Sequence, residues 1–324
     1  MSRRTRAGWR RDGSRLPVAT HASAGLLALA AVAVTVVMWG LSGVAIKAVR
    51  PTGLVTVFYR CWFAIPPLWL TVLAPSVRRR LDGAWLRASM VRGLLFSVHQ
   101  LLDFTSLKLT SVANVTIIGA LQPALVLLVA GRMFGERVTA RAVLWSAVAL
   151  VGTGLVVFGS VGAPSWSGAG DVLAAANLFA FTGYFVVSKR FRERVGPWEY
   201  VIGMTTVSGV AVLAVVLASG QDLASPAGWD WVALAALAIF PGTLGHVLTN
   251  WAHAHTSAFV VSMMLLAVPV IAALGAVVLL DEALGTLQLA GGAVVLVAIG
   301  RIVASARRPA GEELAESAAA TDAP

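Results

Sequence analysis

The chain is 324 residues long, and 58% of its residues are hydrophobic while only 12% are charged, with a mean hydropathy of +0.82. A charged share about half that of ordinary soluble proteins excludes a soluble globular domain and indicates a membrane protein. The net charge of +10 does not indicate nucleic-acid binding, because the basic residues lie in short blocks between apolar stretches.

The first 25 residues form a basic arm, which holds six arginines ahead of the first apolar stretch. We expect this arm to be disordered and cytoplasmic. Cleavable export signals have a shorter apolar region and a small-residue cleavage site, whereas residues 26–46 are long enough to span a membrane. A twin-arginine export signal is the alternative that the arginine pairs leave open.

Ten apolar stretches follow, each of about 18 to 24 residues, a length that crosses a hydrocarbon core about 30 Å thick. The predicted fold is therefore all-α and integral to the membrane, with ten transmembrane helices. Their expected bounds are residues 26–46, 53–74, 88–106, 111–131, 141–160, 171–188, 198–219, 230–250, 257–280 and 285–304.

Lysine and arginine are distributed unequally between the two sides of the predicted membrane. One side has only Lys47, Arg50 and Lys108, whereas the other has the arginines of the arm and most of the remaining basic residues. Because positively charged loops stay in the cytoplasm, we place both termini there. The chain is then a multi-pass protein of the cytoplasmic membrane.

One stretch of the chain is repeated. Residues 110–136 return 146 residues later as residues 256–282, and both copies begin with Thr-Ser, end in glutamate and share a proline, Pro123 or Pro269. A repeat of this period indicates two copies of one multi-helix unit. Since each copy has five helices, an odd number, the second must run in the opposite sense, with the substrate near the midplane between two inverted repeats.

The repeats set the predicted domain boundaries, and the connecting segments are rich in small or charged residues. We assign a first repeat, an inter-repeat loop, a second repeat and a disordered cytoplasmic tail to residues 26–160, 161–170, 171–305 and 306–324.

Polar side chains inside the third and eighth helices are candidates for a transport pathway, since an ionisable group inside a membrane needs a partner or a wet cavity. His99 and Asp103 share one face of the third helix with Gln100 beside them. His246 and Asn250 share a face of the eighth helix. We expect these residues to line a substrate or proton pathway; hydrogen bonding between helices is the alternative.

Two further histidines, His253 and His255, lie near the expected cytoplasmic end of the eighth helix. We expect them to be solvated at the membrane interface.

Arg60 in the second helix and Asp103 lie at matching depths. We predict that they pair, because an unpaired charge at that depth costs more than an ion pair. A static pair is one alternative; in the other, Asp103 exchanges a proton or contacts the substrate.

Aromatic side chains on the first and sixth helices follow helical spacing. Trp39, Phe181 and Tyr184 could wall a cavity for an organic solute or a cation. Ordinary helix packing is the alternative.

The repeated stretch itself offers two kinds of feature. Pro123 and Pro269 lie in the middle of the fourth and ninth helices, where each frees a backbone carbonyl and permits a kink. These kinks are candidates for a gate, with tolerated structural prolines as the alternative. Glu136 and Glu282 precede the next helix, and we expect them to cap its positive N-terminal end.

Several kinds of chemistry have no motif here. The sequence has no phosphate-binding loop, no metal-ligand spacing and no nucleophile elbow, so we predict no enzyme, no catalytic residue, no cofactor and no metal site. The expected partners are a small-molecule substrate, the lipid bilayer and, as a candidate, protons, without nucleic acid. The oligomeric state stays open.

Together these features resemble the EamA branch of the drug/metabolite transporter superfamily over residues 25–305. The likeness is carried by the paired Thr-Ser, proline and glutamate stretches, by Gly135-Glu136 and Asp281-Glu282 at their ends, by Trp39-Gly40 and by Tyr59-Arg60. The resemblance implies a ten-helix inverted-repeat carrier of small metabolites, often an exporter of amino acids, often driven by proton or solute exchange. The second half has no basic counterpart of Arg60.

The sequence therefore predicts a secondary transporter that exports a small polar metabolite, such as an amino acid, by alternating access. Proton exchange is a candidate driving reaction, with Asp103, His99 and His246 in contact with proton or substrate and Arg60 as counter-charge. The alternatives are a lipid flippase, which the same fold would support, and a membrane-embedded enzyme on a lipid-linked substrate.

Overall fold

A computed structural model of the chain describes residues 18–78, 81–135, 139–159, 167–191, 195–280 and 285–306. None of these residues lies in a β-strand. The predicted helix caps Glu136 and Glu282 lie outside the described residues.

The described part of the chain forms fourteen α-helices, joined by short turns, two 3-10 turns and one π-helical turn. The helices are α1 Val18–Ala48, α2 Gly53–Leu70, α3 Pro75–Arg78, α4 Gly83–Leu109, α5 Val112–Gly119, α6 Gln122–Phe134, α7 Ala140–Phe158, α8 Gly168–Phe191, α9 Pro197–Ala218, α10 Trp229–Ile239, α11 Gly245–Ala252, α12 Ala258–Met264, α13 Val268–Leu280 and α14 Thr286–Ala306.

Nine helical stretches of the described residues are long and apolar enough to cross a membrane. The remaining predicted span corresponds to α4, which is 27 residues long but less apolar, because it includes Arg87, Arg92, Asp103 and Lys108. Arg92 is fully buried, whereas Arg87 and Lys108 lie near the helix ends.

Large apolar side chains cover the outside of the bundle. Leu128 and Val172 are 65% and 68% exposed, and many similar residues on other helices are at least half exposed. Such a surface suits lipid tails, while the helices satisfy their own backbone hydrogen bonds as a hydrocarbon solvent requires.

The first helix begins earlier than expected. α1 starts at Val18 rather than at residue 26, within the stretch assigned to the basic arm. Ala19, Ala22 and Ala24 are strong helix formers, so local propensity extends the helix beyond its apolar part.

Three of the predicted spans are interrupted near their middles. The fourth span divides into α5 and α6, and the ninth into α12, a 3-10 turn (Leu265–Ala267) and α13. Pro123 and Pro269 are each the second residue of the helix that follows the break. A proline fits the first turn of a helix, where its missing N–H needs no acceptor, so each span restarts at its proline.

The eighth span contains the π-helical turn Phe240–Leu244, between α10 and α11. π-turns insert one extra residue into a helix and are frequent at functional sites. This turn is relevant to the cavity described below.

The helices pack in recurring pairs. α1 contacts α11 and α13, α4 contacts α8 and α9, and α2 contacts α9 and α10. α7 and α14 form the most extensive contact. Their axes approach closely at Gly152 and Gly291, since a Cβ atom on Gly291 would lie 2.6 Å from the Gly152 carbonyl oxygen.

One apolar cluster closes one end of the bundle, and we call it the plug. It contains buried residues from α1, α6, α8, α11 and α12, together with Leu265: Ala28, Val32, Val36, Val126, Phe185, Ala252, Ala258, Val261 and Leu265. Ala28 and Val32 lie in the N-terminal half of α1 and Phe185 in the C-terminal part of α8, so the plug lies where those two segments meet.

Candidate functional site

A cavity of about 210 Å³ occupies the centre of the bundle. Its wall is formed by the C-terminal halves of α1 and α4, by α5 and by residues 174–181 of α8, with further residues from α2, α6, α10, α11, α12 and α13 and from the turns within the interrupted spans. The cavity therefore extends from the centre toward the end of the bundle at which α1 and α4 finish. We call this the mouth end; the plug closes the opposite end.

Most of the predicted pathway residues line this cavity, although they come from four different helices, α1, α2, α4 and α11. The lining includes Trp39, Arg60, His99, Gln100, Asp103 and His246, together with Pro123 and Pro269. Tyr184 and Asn250 do not line it; both are buried behind the wall.

Asp103 and His99 are joined through one amide that the sequence analysis did not select. Asn177 on α8 donates its side-chain N–H to Asp103 Oδ1 at 2.8 Å, and its side-chain oxygen lies 2.6 Å from His99 Nδ1. An amide oxygen only accepts, so Nδ1 of His99 must carry the proton. Asn177 thereby fixes the orientation of both side chains.

Arg60 does not form the predicted ion pair with Asp103. Its guanidinium instead donates to the side-chain oxygen of Gln100 and lies 3.3 Å from His246 Nε2. The guanidinium carbon also lies 5.6 Å from the ring centroids of Phe96 and Phe104, a distance at which a cation is attracted to a ring face. Matching depth in the membrane was therefore insufficient to predict an ion pair, because neutral acceptors and aromatic faces hold the Arg60 side chain.

His246 links the cavity to a buried hydroxyl. Because a guanidinium has no acceptor, Nε2 of His246 accepts from Arg60. Nδ1 then carries the proton and donates to the Tyr184 hydroxyl at 3.1 Å. Asn250 donates to the backbone oxygen of His246 at 2.8 Å. Tyr184 and Asn250 thus support the cavity wall from behind.

Aromatic rings form one side of the cavity. The Trp39 and Phe181 centroids are 6.1 Å apart in an edge-on arrangement, and the His99 ring stacks on Phe181 at 4.6 Å. Trp39 Nε1 donates to the Pro241 carbonyl at 3.1 Å. Pro241 belongs to the π-helical turn, whose irregular backbone thus positions an indole in the wall.

The expected interfacial solvation of His253 is wrong. Its side chain is only 2% exposed, and its ring lies edge-on to Phe185 with the centroids 4.6 Å apart. His255 is exposed. His253 is buried because it packs against a residue of the plug.

Asn177 is a polar cavity residue that the predicted site lacked, whereas Phe181 lines the cavity as the sequence suggested. A signal for Asn177 was present: Asn177, Phe181 and Tyr184 follow i, i+4, i+7 spacing on α8, one face of a helix. The contacts of Asn177 with α4 depend on packing between distant helices, which the spacing does not reveal.

Comparison with known proteins identifies the family. The model of the EamA-like transporter family matches residues 26–158 and 168–304. The chain is similar to the aromatic amino acid exporter YddG of Ancylobacter novellus, with 27% identity over 209 residues, covering 58% of this chain and 70% of that protein. It also resembles a solved crystal structure with a TM-score of 0.71 and 22% identity, covering 89% of this chain and 98% of the other. The chain therefore belongs to the EamA-like transporter family.

Proposed function

We propose that this chain is a secondary transporter that exports amino acids with aromatic or large apolar side chains by alternating access. The observation that carries the proposal is that Arg60 and Asp103 line one cavity without pairing to each other, beside the rings of Trp39 and Phe181. A zwitterionic amino acid offers a partner to both charges. Its ammonium group binds the carboxylate and its carboxylate binds the guanidinium, through charge-assisted hydrogen bonds.

The chain is a multi-pass protein of the cell membrane. A similar protein supports export as the direction of transport. The similar protein of Ancylobacter novellus is an exporter of aromatic amino acids. A cavity wall of tryptophan, phenylalanine and two histidine rings suits the same kind of side chain, since aromatic pairs gain energy beyond their buried area.

The architecture that we assign has ten spans in two inverted repeats, residues 26–160 and 171–305. α4 is counted as a span because Arg92, the charge nearest its middle, is buried inside the bundle. We assign the plug end, and both termini, to the cytoplasm, because lysine and arginine are in excess at that end. The mouth end of the cavity then faces outward.

The two interrupted spans supply the proposed gate. α6 packs on α12 on the plug side of the breaks, whereas α5 and α13 border the cavity on the mouth side. The spans are therefore in contact on one side of Pro123 and Pro269 and separated by a cavity on the other. Bending at these breaks would open one side as the other closes, which is the requirement of alternating access.

Asp103 is the proposed site of proton exchange. Of the described residues that line the cavity, it is the one that carries a carboxylate. A proton and an ammonium group compete for the same carboxylate. Release of the substrate to the outside therefore allows Asp103 to take up a proton, which returns inward in the next half-cycle.

The test is a substrate series in proteoliposomes. Phenylalanine should be transported, and analogues lacking one charged group, phenethylamine and 3-phenylpropionate, should be transported about tenfold more slowly or worse, because each loses one charge-assisted interaction. Glutamate should also be poor, since its second carboxylate meets the aromatic wall. Transport of phenethylamine at the rate of phenylalanine would contradict the proposal and indicate a cation exporter.

A lipid flippase is the alternative that the fold alone would allow. It needs a laterally open, apolar groove for acyl chains. The charged and imidazole side chains that line this cavity favour a polar solute instead.

A further inference from the structure

Lys47 forms a clasp at the mouth end. It lies in the last turn of α1, and its Nζ donates to the carbonyl oxygens of Leu107 at 2.9 Å and of Thr110 at 2.8 Å. These carbonyls belong to the end of α4 and to the turn that leads into α5. The ammonium group thus ties the junction of two helices to the end of a third, where it also neutralises the negative end of a helix dipole.

Lys189 forms the same clasp at the plug end. It lies in the last turn of α8, and its Nζ donates to the carbonyl oxygens of His253 at 2.8 Å and of Thr256 at 2.6 Å. These carbonyls lie in the junction between α11 and α12. Each clasp therefore consists of one lysine ammonium group that donates to two backbone carbonyl oxygens, and the two clasps occupy opposite ends of the bundle.

The clasps are related by the internal repeat. Lys189 follows Lys47 by 142 residues, and the acceptors of the second clasp follow those of the first by 146 residues, the spacing of the repeated stretch. This relation explains the repeated Thr-Ser. The threonine supplies a carbonyl to the lysine, and the serine caps the next helix, since Ser111 accepts from the amide of Asn114 and Ser257 from that of Val260, both at 3.1 Å.

The surroundings of the two clasps differ. At the mouth end, Ile46 and Leu107 line the cavity, so the clasp borders an open space. At the plug end, Ala252 and Ala258 belong to the closed apolar cluster. The same clasp is thus formed at an open end and at a closed end of one molecule, although neither lysine lines the cavity.

We propose that Lys47 and Lys189 are positioning residues of the transport cycle, and that both clasps stay closed while the two ends of the bundle open and close in turn. The inference rests on the proposed alternating access, because inverted repeats exchange conformations during the cycle. If each lysine were a latch that breaks when its end of the bundle opens, the Lys189 contacts would be present at the closed plug end and the Lys47 contacts would be absent at the open mouth end. Both sets of contacts are present. Each clasp instead fixes a helix junction, and the movement is left to the segments that meet at Pro123 and Pro269.

Hydrogen exchange of the purified protein tests the clasps without any substrate. In Lys47→Met, amides of residues 108–119 should exchange about tenfold faster while residues 254–264 keep the wild-type rate, because two charge-assisted hydrogen bonds hold one junction only. Lys189→Met should give the reverse pattern, so each variant is the control for the other. Unchanged exchange in both variants would refute the clasps, whatever the protein transports.

Transport by the same variants tests their role in the cycle. Lys47→Met and Lys189→Met should slow turnover by about tenfold while changing substrate affinity by less than about twofold, since the lysines position helices and do not contact the substrate. Lys47→Arg should restore turnover, because a guanidinium also offers several donors to the two carbonyls. Arg190→Met, which removes one exposed charge beside Lys189, is the matched control and should behave as wild type.

Three results would overturn the proposal. Wild-type turnover in both methionine variants would show that the clasps are not needed for the cycle. Equal losses of affinity and turnover would show that the lysines support the binding site itself. In wild-type protein, faster exchange of residues 108–111 on addition of saturating phenylalanine would show that the clasp opens.

Discussion

At the scale of single residues, a few hydrogen bonds determine which charges of the cavity are available to a ligand. Asn177 engages Oδ1 of Asp103, while Gln100 and His246 hold Arg60 at a fixed place in the wall. Both charges are held by neutral partners. A ligand can therefore approach them without first breaking an ion pair, which would cost more than displacing a neutral partner.

Asp103→Asn tests the carboxylate directly. The variant keeps the shape and an oxygen for Asn177 but loses the charge that binds an ammonium group, so phenylalanine export from proteoliposomes should fall by about tenfold or more. Asp222→Asn is the matched control, because this loop residue accepts from the amide of Ala224 at 2.8 Å and an asparagine oxygen can do the same. Wild-type export by Asp103→Asn, with or without a proton gradient, would remove this residue from the mechanism.

The sequence selected the charged and imidazole side chains of the cavity wall but not their contacts with one another. The cost of ionisable groups in a membrane was enough to select His99, Asp103 and His246. It could not show that Arg60 prefers Gln100 to Asp103, because both lie on α4 within one turn of each other and only the packed geometry separates them. Asn177 was missed for the same reason.

At the scale of helices, apolar length and proline position predicted most of the elements. Among the described residues, nine helical stretches are long and apolar enough to cross a membrane, and breaks occur beside Pro123 and Pro269. The π-helical turn at Phe240–Leu244 was not expected. Sequence indicates that a Pro-Gly pair disturbs a helix, but whether the helix kinks, breaks or takes an extra residue depends on what packs against it.

The contact between α7 and α14 gives a prediction of stability. Gly152→Ala should lower the thermal unfolding temperature in detergent, since the added Cβ would lie 2.9 Å from Val294 and Val295 side chains and 3.0 Å from a backbone oxygen. Overpacking of this kind costs about 1–3 kcal/mol. Gly154→Ala, two residues further on, meets nothing within 4 Å and should be neutral or slightly stabilising, because alanine favours a helix. Equal effects of the two variants would show that the helices do not approach closely at Gly152.

At the scale of the whole molecule, the two ends of the bundle differ in what they leave open. The cavity reaches one end of the bundle and the plug fills the other. If the second half runs opposite to the first, the two ends are built from equivalent segments, and the plug is the closed form and the mouth the open form of the same arrangement. The proposed orientation has the plug end in the cytoplasm, because the basic residues concentrate at that end.

Thiol labelling in intact cells tests this orientation. The natural Cys61 is fully buried, so wild-type protein should not react with a membrane-impermeant maleimide and provides the background. Asp222→Cys, in the loop between α9 and α10 at the mouth end, should be labelled from outside. Ala140→Cys, exposed at the start of α7 at the plug end, should be labelled only after the membrane is made permeable. The reverse pattern would mean that the mouth faces the cytoplasm.

The same assay reports the state of the cavity. Thr116→Cys lines the cavity and should be labelled from outside, more slowly when phenylalanine is present because the substrate fills the same space. Val261→Cys lies in the plug and is fully buried, so it should resist labelling in permeable cells until the plug opens. If external phenylalanine instead exposed Val261→Cys while protecting Thr116→Cys, the two ends would be opening in turn, as alternating access requires. Simultaneous labelling of both positions would describe a channel, and the carrier mechanism would be wrong.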